Sequence, residues 1–95
     1  MESIDFQSLC IFKVLDYVNA NREESEKLNS SDVYVVWLSK TLQNNKGLFS
    51  TSEPDGLYFE CTYNGDKEEL YLDVYEKVEN KPFKVTPNDW KISVF

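Results

Sequence analysis

One predicted β-hairpin, spanning residues 57–78, constrains the fold of this chain more than any other segment. Its centre is Asn64-Gly65, a pair that readily adopts the positive φ angles of a two-residue type I′ turn. With this turn, Glu60 lies directly opposite Glu69. Because successive side chains point to opposite faces of a strand, the hairpin separates an apolar face from a polar and aromatic face. The apolar face collects Leu57, Phe59, Leu70, Leu72 and Val74.

The rest of the chain predicts one helix and two further strands. Residues 3–19 carry apolar side chains at the 3.6-residue spacing of an amphipathic helix that packs on a core. Residues 33–42 are β-prone and apolar on both faces in their first half, which predicts a central strand covered on both sides. We predict one domain over residues 1–95, of the α+β class, with the N-terminal amphipathic helix packed on an antiparallel β-meander of four to five strands. The predicted strands cover about residues 33–42, 48–52, 57–63 and 67–78.

The end of the chain predicts a docking segment over residues 83–95. Trp90 and Phe95 belong to a stretch that is too apolar for a free tail, so we expect it to pack against the domain. Two positions stay open for it. The segment either adds an edge strand to the sheet or covers the hairpin face that carries Tyr58 and Tyr71.

Composition excludes several classes of active site. The chain has no histidine, which removes Ser-His-Asp and Cys-His catalysis and histidine-ligated metals. Its glycines and cysteines form neither a phosphate-binding loop nor a zinc motif, and we predict that Cys10 and Cys61 are buried free thiols. Glu60 and Glu69 are the one carboxylate pair that could act in catalysis, but the sequence indicates neither a pocket around them nor a third metal ligand beside them. We therefore expect no enzymatic activity, no cofactor and no metal.

Charge and hydropathy limit the partners of the chain. The net charge is −7 and the ten basic residues are scattered, which disfavours direct binding to a phosphate backbone. No apolar run is long enough to cross a bilayer, and the first residues lack the pattern of a signal peptide. We expect a cytoplasmic protein that binds neither nucleic acid nor membrane directly.

The polar face of the hairpin is the candidate binding surface. Tyrosine is enriched at the energetic centres of protein interfaces, and carboxylates beside it select partners rich in arginine or lysine. One alternative stays open, in which the C-terminal segment covers these tyrosines and they belong to the core. The candidate partner-binding residues are Tyr58, Glu60, Glu69, Tyr71, Asp73 and Tyr75.

Five short motifs carry a resemblance to a known family. They are V-Y-V-V-W at 33–37, K-T-L-Q-N-N-K at 40–46, P-D-G at 54–56, T-Y-N-G-D-K at 62–67 and Y-x-D-x-Y at 71–75. In these motifs the chain resembles an uncharacterised family of small proteins encoded by phages and prophages of Gram-positive bacteria. The resemblance implies a context, because small acidic phage proteins without catalytic residues often bind and disable a host protein, CRISPR and restriction nucleases included.

The expected function is that of a non-enzymatic, phage-derived inhibitor. Its acidic and aromatic surface would bind a host protein with a basic groove, such as a CRISPR or other defence nuclease that handles nucleic acid. Two alternatives stay open. One is a protein that sequesters a small molecule or nucleotide in a pocket, at a homodimer interface lined by Trp37, Tyr34 and Lys40. The other is a structural or assembly factor of the phage itself.

Overall fold

A computed structural model describes residues 1–91 as one helix packed on a four-stranded antiparallel sheet. The strands follow one another in the order β1-β2-β3-β4, which is a meander, so the predicted α+β architecture is confirmed. No helix within residues 1–91 is long and apolar enough to span a membrane. The elements are α1 (Ser3–Asn19), β1 (Val33–Thr41), β2 (Asn44–Thr51), β3 (Leu57–Asn64), β4 (Glu69–Glu76) and the short α2 (Pro87–Trp90), with 3-10 turns at Glu24–Glu26 and Ser30–Asp32.

The core lies between α1 and one face of the sheet. Phe6, Cys10 and Val14 follow one another at four-residue spacing, so they form a single stripe on α1, and all three are buried. Phe6 packs against Phe49 of β2 with ring centroids 6.4 Å apart. Gly47 permits this close packing, because a Cβ atom there would lie 3.3 Å from the ring of Phe6 and 3.0 Å from that of Phe49. The sheet contributes Val33, Phe49, Phe59 and Cys61 to the same core.

Both cysteines lie in this core. Cys10 and Cys61 are fully buried and free, which confirms the prediction made for them. A hydrogen bond with the neighbouring Cys61 thiol, followed by burial, raises the pKa of Cys10 above its ordinary value. The pair therefore joins α1 to β3 as two small apolar side chains rather than as exposed nucleophiles.

The β3–β4 hairpin has a different turn from the predicted one. The strands are joined by a four-residue loop, Gly65 to Glu68, and Asn64 pairs with Glu69. Glu60 therefore faces Asp73, and the predicted Glu60–Glu69 pair is wrong. The loop arises because the Asn64 side chain accepts hydrogen bonds from the backbone N–H groups of the second and third loop residues, at 3.0 and 3.2 Å. Glu68 closes the loop in the left-handed region, with φ 53°.

The observed register places apolar residues opposite the buried side chains of β3. Cys61 lies opposite Leu72, whereas the two-residue turn would have set Glu68 beside that fully buried thiol. Burying an unpaired carboxylate costs far more free energy than rebuilding a solvent-exposed loop. The shift relative to the prediction is even, so the residues of β3 and β4 stay on their predicted faces, whereas residues 65–68 belong to the loop.

The first strand is an edge strand, so the prediction of a central strand covered on both sides is wrong. β1 pairs only with β2, and its register shifts between Val35 and Trp37. The irregularity turns Val35 towards the core and Trp37 away from it, which explains a run that is apolar on both faces without a second covering layer. The residues of β1 that remain exposed include Tyr34, Val36, Trp37 and Leu38.

The chain beyond β4 forms an arm, which we define as residues 77–91. Residues 77–86 contain neither helix nor strand, and α2 follows at Pro87–Trp90. The apolar side chains of this C-terminal arm remain largely exposed: Val78 at 95%, Phe83 at 79%, Val85 at 65% and Trp90 at 63%. The described part of the predicted docking segment, residues 83–91, is thus not packed on the sheet, and residues 92–95 lie outside the described residues.

Candidate binding face

The sheet has a second face, turned away from α1, which we call the open face. Alternation along each strand sends one set of side chains to the core and the other set here. Four aromatic side chains of this face are between 40% and 51% exposed, so no other segment within residues 1–91 covers them. The open face carries Tyr34, Trp37, Lys46, Leu48, Ser50, Tyr58, Glu60, Glu69, Tyr71, Asp73 and Tyr75.

Strand pairing orders these side chains into rows that cross all four strands. One row contains three tyrosines, in the order Tyr34, Ser50, Tyr58 and Tyr75. The adjacent row begins with an apolar half and ends with two carboxylates, in the order Trp37, Leu48, Glu60 and Asp73. An aromatic row therefore lies directly beside an acidic patch, and cross-strand neighbours of this kind are close enough for direct contact.

The six residues predicted from the hairpin all lie on the open face. Tyr58 and Tyr75 are direct partners across β3 and β4, as are Glu60 and Asp73. Glu69 and Tyr71 lie further along β4, towards the loop. The sequence thus placed these side chains on the correct face, although it paired the two glutamates wrongly.

Two carboxylates of the open face, those of Glu60 and Glu69, are already engaged with neutral or basic neighbours. The Tyr75 hydroxyl donates to Glu60 Oε1 at 3.4 Å, and Lys46 Nζ lies 3.7 Å from the same oxygen. The Tyr71 hydroxyl donates to the Glu69 carboxylate. The negative charge of Glu60 raises the pKa of Tyr75, and the hydrogen bond with Glu69 raises the pKa of Tyr71. Both phenols therefore keep their protons and present O–H groups beside the carboxylates.

Besides Lys46, a second cation of the chain itself lies on this face. Lys77, the first residue of the C-terminal arm, places its Nζ atom 5.6 Å from the centroid of the Tyr58 ring. A lysine within about 6 Å of an aromatic ring gains roughly 0.5–1 kcal/mol at an exposed site. The contact shows that the tyrosine row accepts an ammonium group in this geometry.

Sequence reasoning missed the β1 and β2 half of the open face. Trp37 and Tyr34 extend the aromatic surface to the opposite edge of the sheet. The β1 register shift concealed them, because strict alternation fails across residues 35–37. The structure does not bring Lys40 to these two aromatics. Lys40 pairs with the buried Asn45 on the helix side and donates to the Met1 carbonyl at 3.0 Å.

The open face carries residue types that are common at protein-binding surfaces. Tyrosine and tryptophan supply rigid apolar area with a polar group at its edge, and the carboxylates supply negative charge. Within residues 1–91, no three carboxylate or thiol groups are grouped so that they could hold a metal ion. The arrangement can bind an extended or convex surface that carries lysine or arginine.

Comparison with known proteins gives a family and no activity. Residues 7–85 match the family of unknown function DUF6275. The chain belongs to this family. No curated protein and no solved structure matches the chain. The DUF6275 match spans most of α1, all four strands and the first part of the arm, so it includes every residue of the open face.

Proposed function

We propose that this protein is a non-enzymatic binding protein whose open face receives a positively charged surface of another protein. One observation carries the proposal: tyrosines, a tryptophan and three carboxylates share the one sheet face that α1 does not cover. Monomeric soluble proteins seldom leave such a contiguous aromatic surface exposed unless it binds something.

Charge selects the class of partner. Three carboxylates, those of Glu60, Glu69 and Asp73, give the face a negative character that Lys46 and Lys77 offset only in part. An opposing surface rich in lysine or arginine gains Coulomb attraction with the carboxylates and cation–π contacts with the rings. Lys77 over Tyr58 is an example of the second contact within the chain itself.

The partner class that fits is a host protein with a cationic substrate groove. Proteins that handle nucleic acid line their grooves with lysine and arginine, so an acidic and aromatic protein surface can occupy such a groove. We include CRISPR and other defence nucleases in this class, and we propose that this protein would inhibit them by occupying the groove. The phage origin that this role implies rests on the motif resemblance.

The test compares charge reversal on the open face with the same reversal elsewhere. The face variant is Glu60→Lys with Glu69→Lys, and the matched control is Glu23→Lys with Glu26→Lys, two exposed residues near the end of α1. Tagged proteins are used to capture partners from a nuclease-treated bacterial lysate at low and high salt. The captured protein is then purified and its affinity for each variant is measured.

The expected result is that the wild-type and control proteins retain the partner and the face variant loses it. Reversing two exposed charges weakens binding by roughly tenfold or more, since each exposed ion pair contributes about 0.2–1 kcal/mol and reversal adds repulsion. The partner should also lose nucleic-acid binding when the wild-type protein is added. Equal affinity of the face variant and the control variant, with both folded, would remove the open face as the binding site.

A further inference from the structure

The chain exposes more surface than a folded monomer of its size. Its accessible surface is 7320 Å², whereas a compact chain of 11.1 kDa has about 5,700 Å². The radius of gyration is 17.3 Å, compared with about 12 Å for a compact domain of this length. The excess is about 1,700 Å² per chain, which is more than the roughly 800 Å² that each partner buries in a stable complex.

The C-terminal arm contributes to this excess, because its apolar side chains are largely exposed. Phe83 and Val85 alternate with lysine and threonine, so an extended arm presents both apolar side chains on one side. The arm is also basic within an acidic protein. It contains four lysines, at 77, 81, 84 and 91, and two carboxylates, Glu79 and Asp89. Its net charge is therefore +2, and the remainder of the −7 chain carries −9.

The arm and the open face are complementary in chemistry. The face offers aromatic rings beside carboxylates, and the arm offers Phe83 and Val85 beside Lys81 and Lys84. Lys77 already makes the contact that this match requires, a lysine over a tyrosine of the open face.

The path of the arm leads away from its own face. The Lys77 N–H donates to the Gly56 carbonyl at 2.8 Å, which continues the direction of β4 beyond the end of the sheet. No turn or bend follows between residues 78 and 86, so the chain does not reverse over its own sheet. Residues 77–86, which precede α2 and contain neither helix nor strand, reach about 33 Å when fully extended. A row across four strands is only about 14 Å wide, so the arm is long enough to cross a neighbouring sheet.

We propose that the arm of one copy docks across the open face of a second copy, and that the exchange is reciprocal in a two-fold symmetric dimer. When a chain carries both a surface and its complement, a two-fold axis lets the arm of each copy bind the open face of the other in the same way. This inference goes beyond the proposed function, because it names the occupant of the open face when no foreign protein is bound. A foreign partner would then displace the arm.

The experiment uses two full-length variants with opposite charge changes, and molar mass measured by light scattering after gel filtration. The arm variant is Lys81→Glu with Lys84→Glu. The β4 variant, which differs from the face variant used for lysate capture, is Glu69→Lys with Asp73→Lys. In each variant alone, arm and face carry like charges, so we expect the dimer dissociation constant to rise at least about tenfold. In an equimolar mixture, each arm again meets a face of opposite charge, so we expect the dimer to return as a heterodimer.

Three results would overturn the inference. The first is a wild-type protein that remains at the monomer mass at about 100 μM, well above the micromolar dissociation constants of specific interfaces of this size. The second is a mixture that stays monomeric although circular dichroism shows both variants folded, which is the outcome of docking within one chain. The third is an arm variant that dimerises as tightly as the wild type, which would assign the interface to another surface.

The result is independent of the proposed function. The dimer is measured on purified protein with no foreign partner present, so a monomeric wild type leaves the lysate capture unaffected. Conversely, a lysate protein that binds the Glu60→Lys, Glu69→Lys variant as well as the control contradicts the proposed function and leaves the dimer measurement unchanged.

Discussion

The conformation of Glu68 allows a sharp test of the β3–β4 turn. Glu68 has φ 53°, in the left-handed region, where an L-residue other than glycine costs about 1–2 kcal/mol. Glu68→Gly removes this cost and adds about 0.5–1 kcal/mol of backbone entropy to the unfolded chain. We therefore expect the free energy of unfolding to rise by about 0.5–1 kcal/mol, and Tm by about 2–8 °C.

Two control variants separate the backbone effect from other changes. Glu68→Gln removes the same charge and keeps the Cβ atom, so the difference in stability between the Glu68→Gly and Glu68→Gln proteins reports the backbone alone. Lys67→Gly places glycine one residue earlier, where φ is not positive, and we expect it to destabilise the protein by about 0.5–1 kcal/mol. Urea denaturation with a slope of about 1–3 kcal/mol per molar resolves these differences as shifts of the midpoint.

One outcome would refute the four-residue loop. In the two-residue turn predicted from Asn64-Gly65, Glu68 is an extended strand residue opposite Cys61, and glycine there weakens the strand. A Glu68→Gly protein that is less stable than the Glu68→Gln protein would therefore indicate the two-residue turn. It would also restore the Glu60–Glu69 pair and change the arrangement of charges on the open face.

The remaining predictions concern ionisable side chains. We expect Cys10 and Cys61 to react with iodoacetamide at least about 1,000-fold more slowly in the native protein than in urea. Both thiols are fully buried, and unfolding costs about 5 kcal/mol or more. Fast labelling of the native protein would contradict the packing of α1 on β3. Tyr71 and Tyr75 should ionise above the ordinary phenol pKa of 10.0, as followed by phenolate absorbance, and Glu69→Gln or Glu60→Gln should return the respective titration towards it. Because the pKa of each tyrosine is raised in the folded protein, the stability that these two side chains contribute is complete below pH 10 and is lost as pH rises through the folded-state pKa. Unchanged titrations in both variants would contradict the pairing of each tyrosine with its glutamate.

Much of the fold could be predicted from the sequence because its strongest signals are periodic. Apolar spacing in α1 predicted a helix over residues 3–19, and the structure shows Ser3–Asn19. Alternation in β3 and β4 assigned the residues of these two strands to their correct faces. These signals are local, since each depends only on the geometry of one helix or strand.

The errors arose where distant segments decide the outcome. The position of β1 at the edge depends on the strand order, and its exposed aromatics depend on the register shift between Val35 and Trp37. No local pattern distinguishes such a strand from a central one that is apolar on both faces. The Trp37 and Tyr34 part of the open face was therefore attributed to a pocket with Lys40, which lies on the other side of the sheet.

Gly65 illustrates how one residue can be predicted for the wrong reason. Sequence reasoning assigned it a positive φ, but among the described glycines only Gly56 has one. A Cβ atom at Gly65 would instead lie 2.3 Å from the backbone oxygen of Gln43, at the end of the β1–β2 hairpin. Asn44 Oδ1 accepts from the Gly65 N–H at 3.1 Å, and Gln43 donates to Asp66 at 2.6 Å. The glycine is required by the contact between two hairpin ends.

The sequence by itself determined which side chains share a face, and only the tertiary structure decided which of them are neighbours. Alternation has a period of two, so it is unchanged by any even shift of one strand along another. The burial of particular side chains decides which of these even shifts is adopted. Cys61 lies beneath α1 next to Cys10, and the register that sets Leu72 rather than Glu68 beside it avoids a buried carboxylate. The same shift brings Asp73 opposite Glu60 and Tyr75 opposite Tyr58, and thereby arranges the open face.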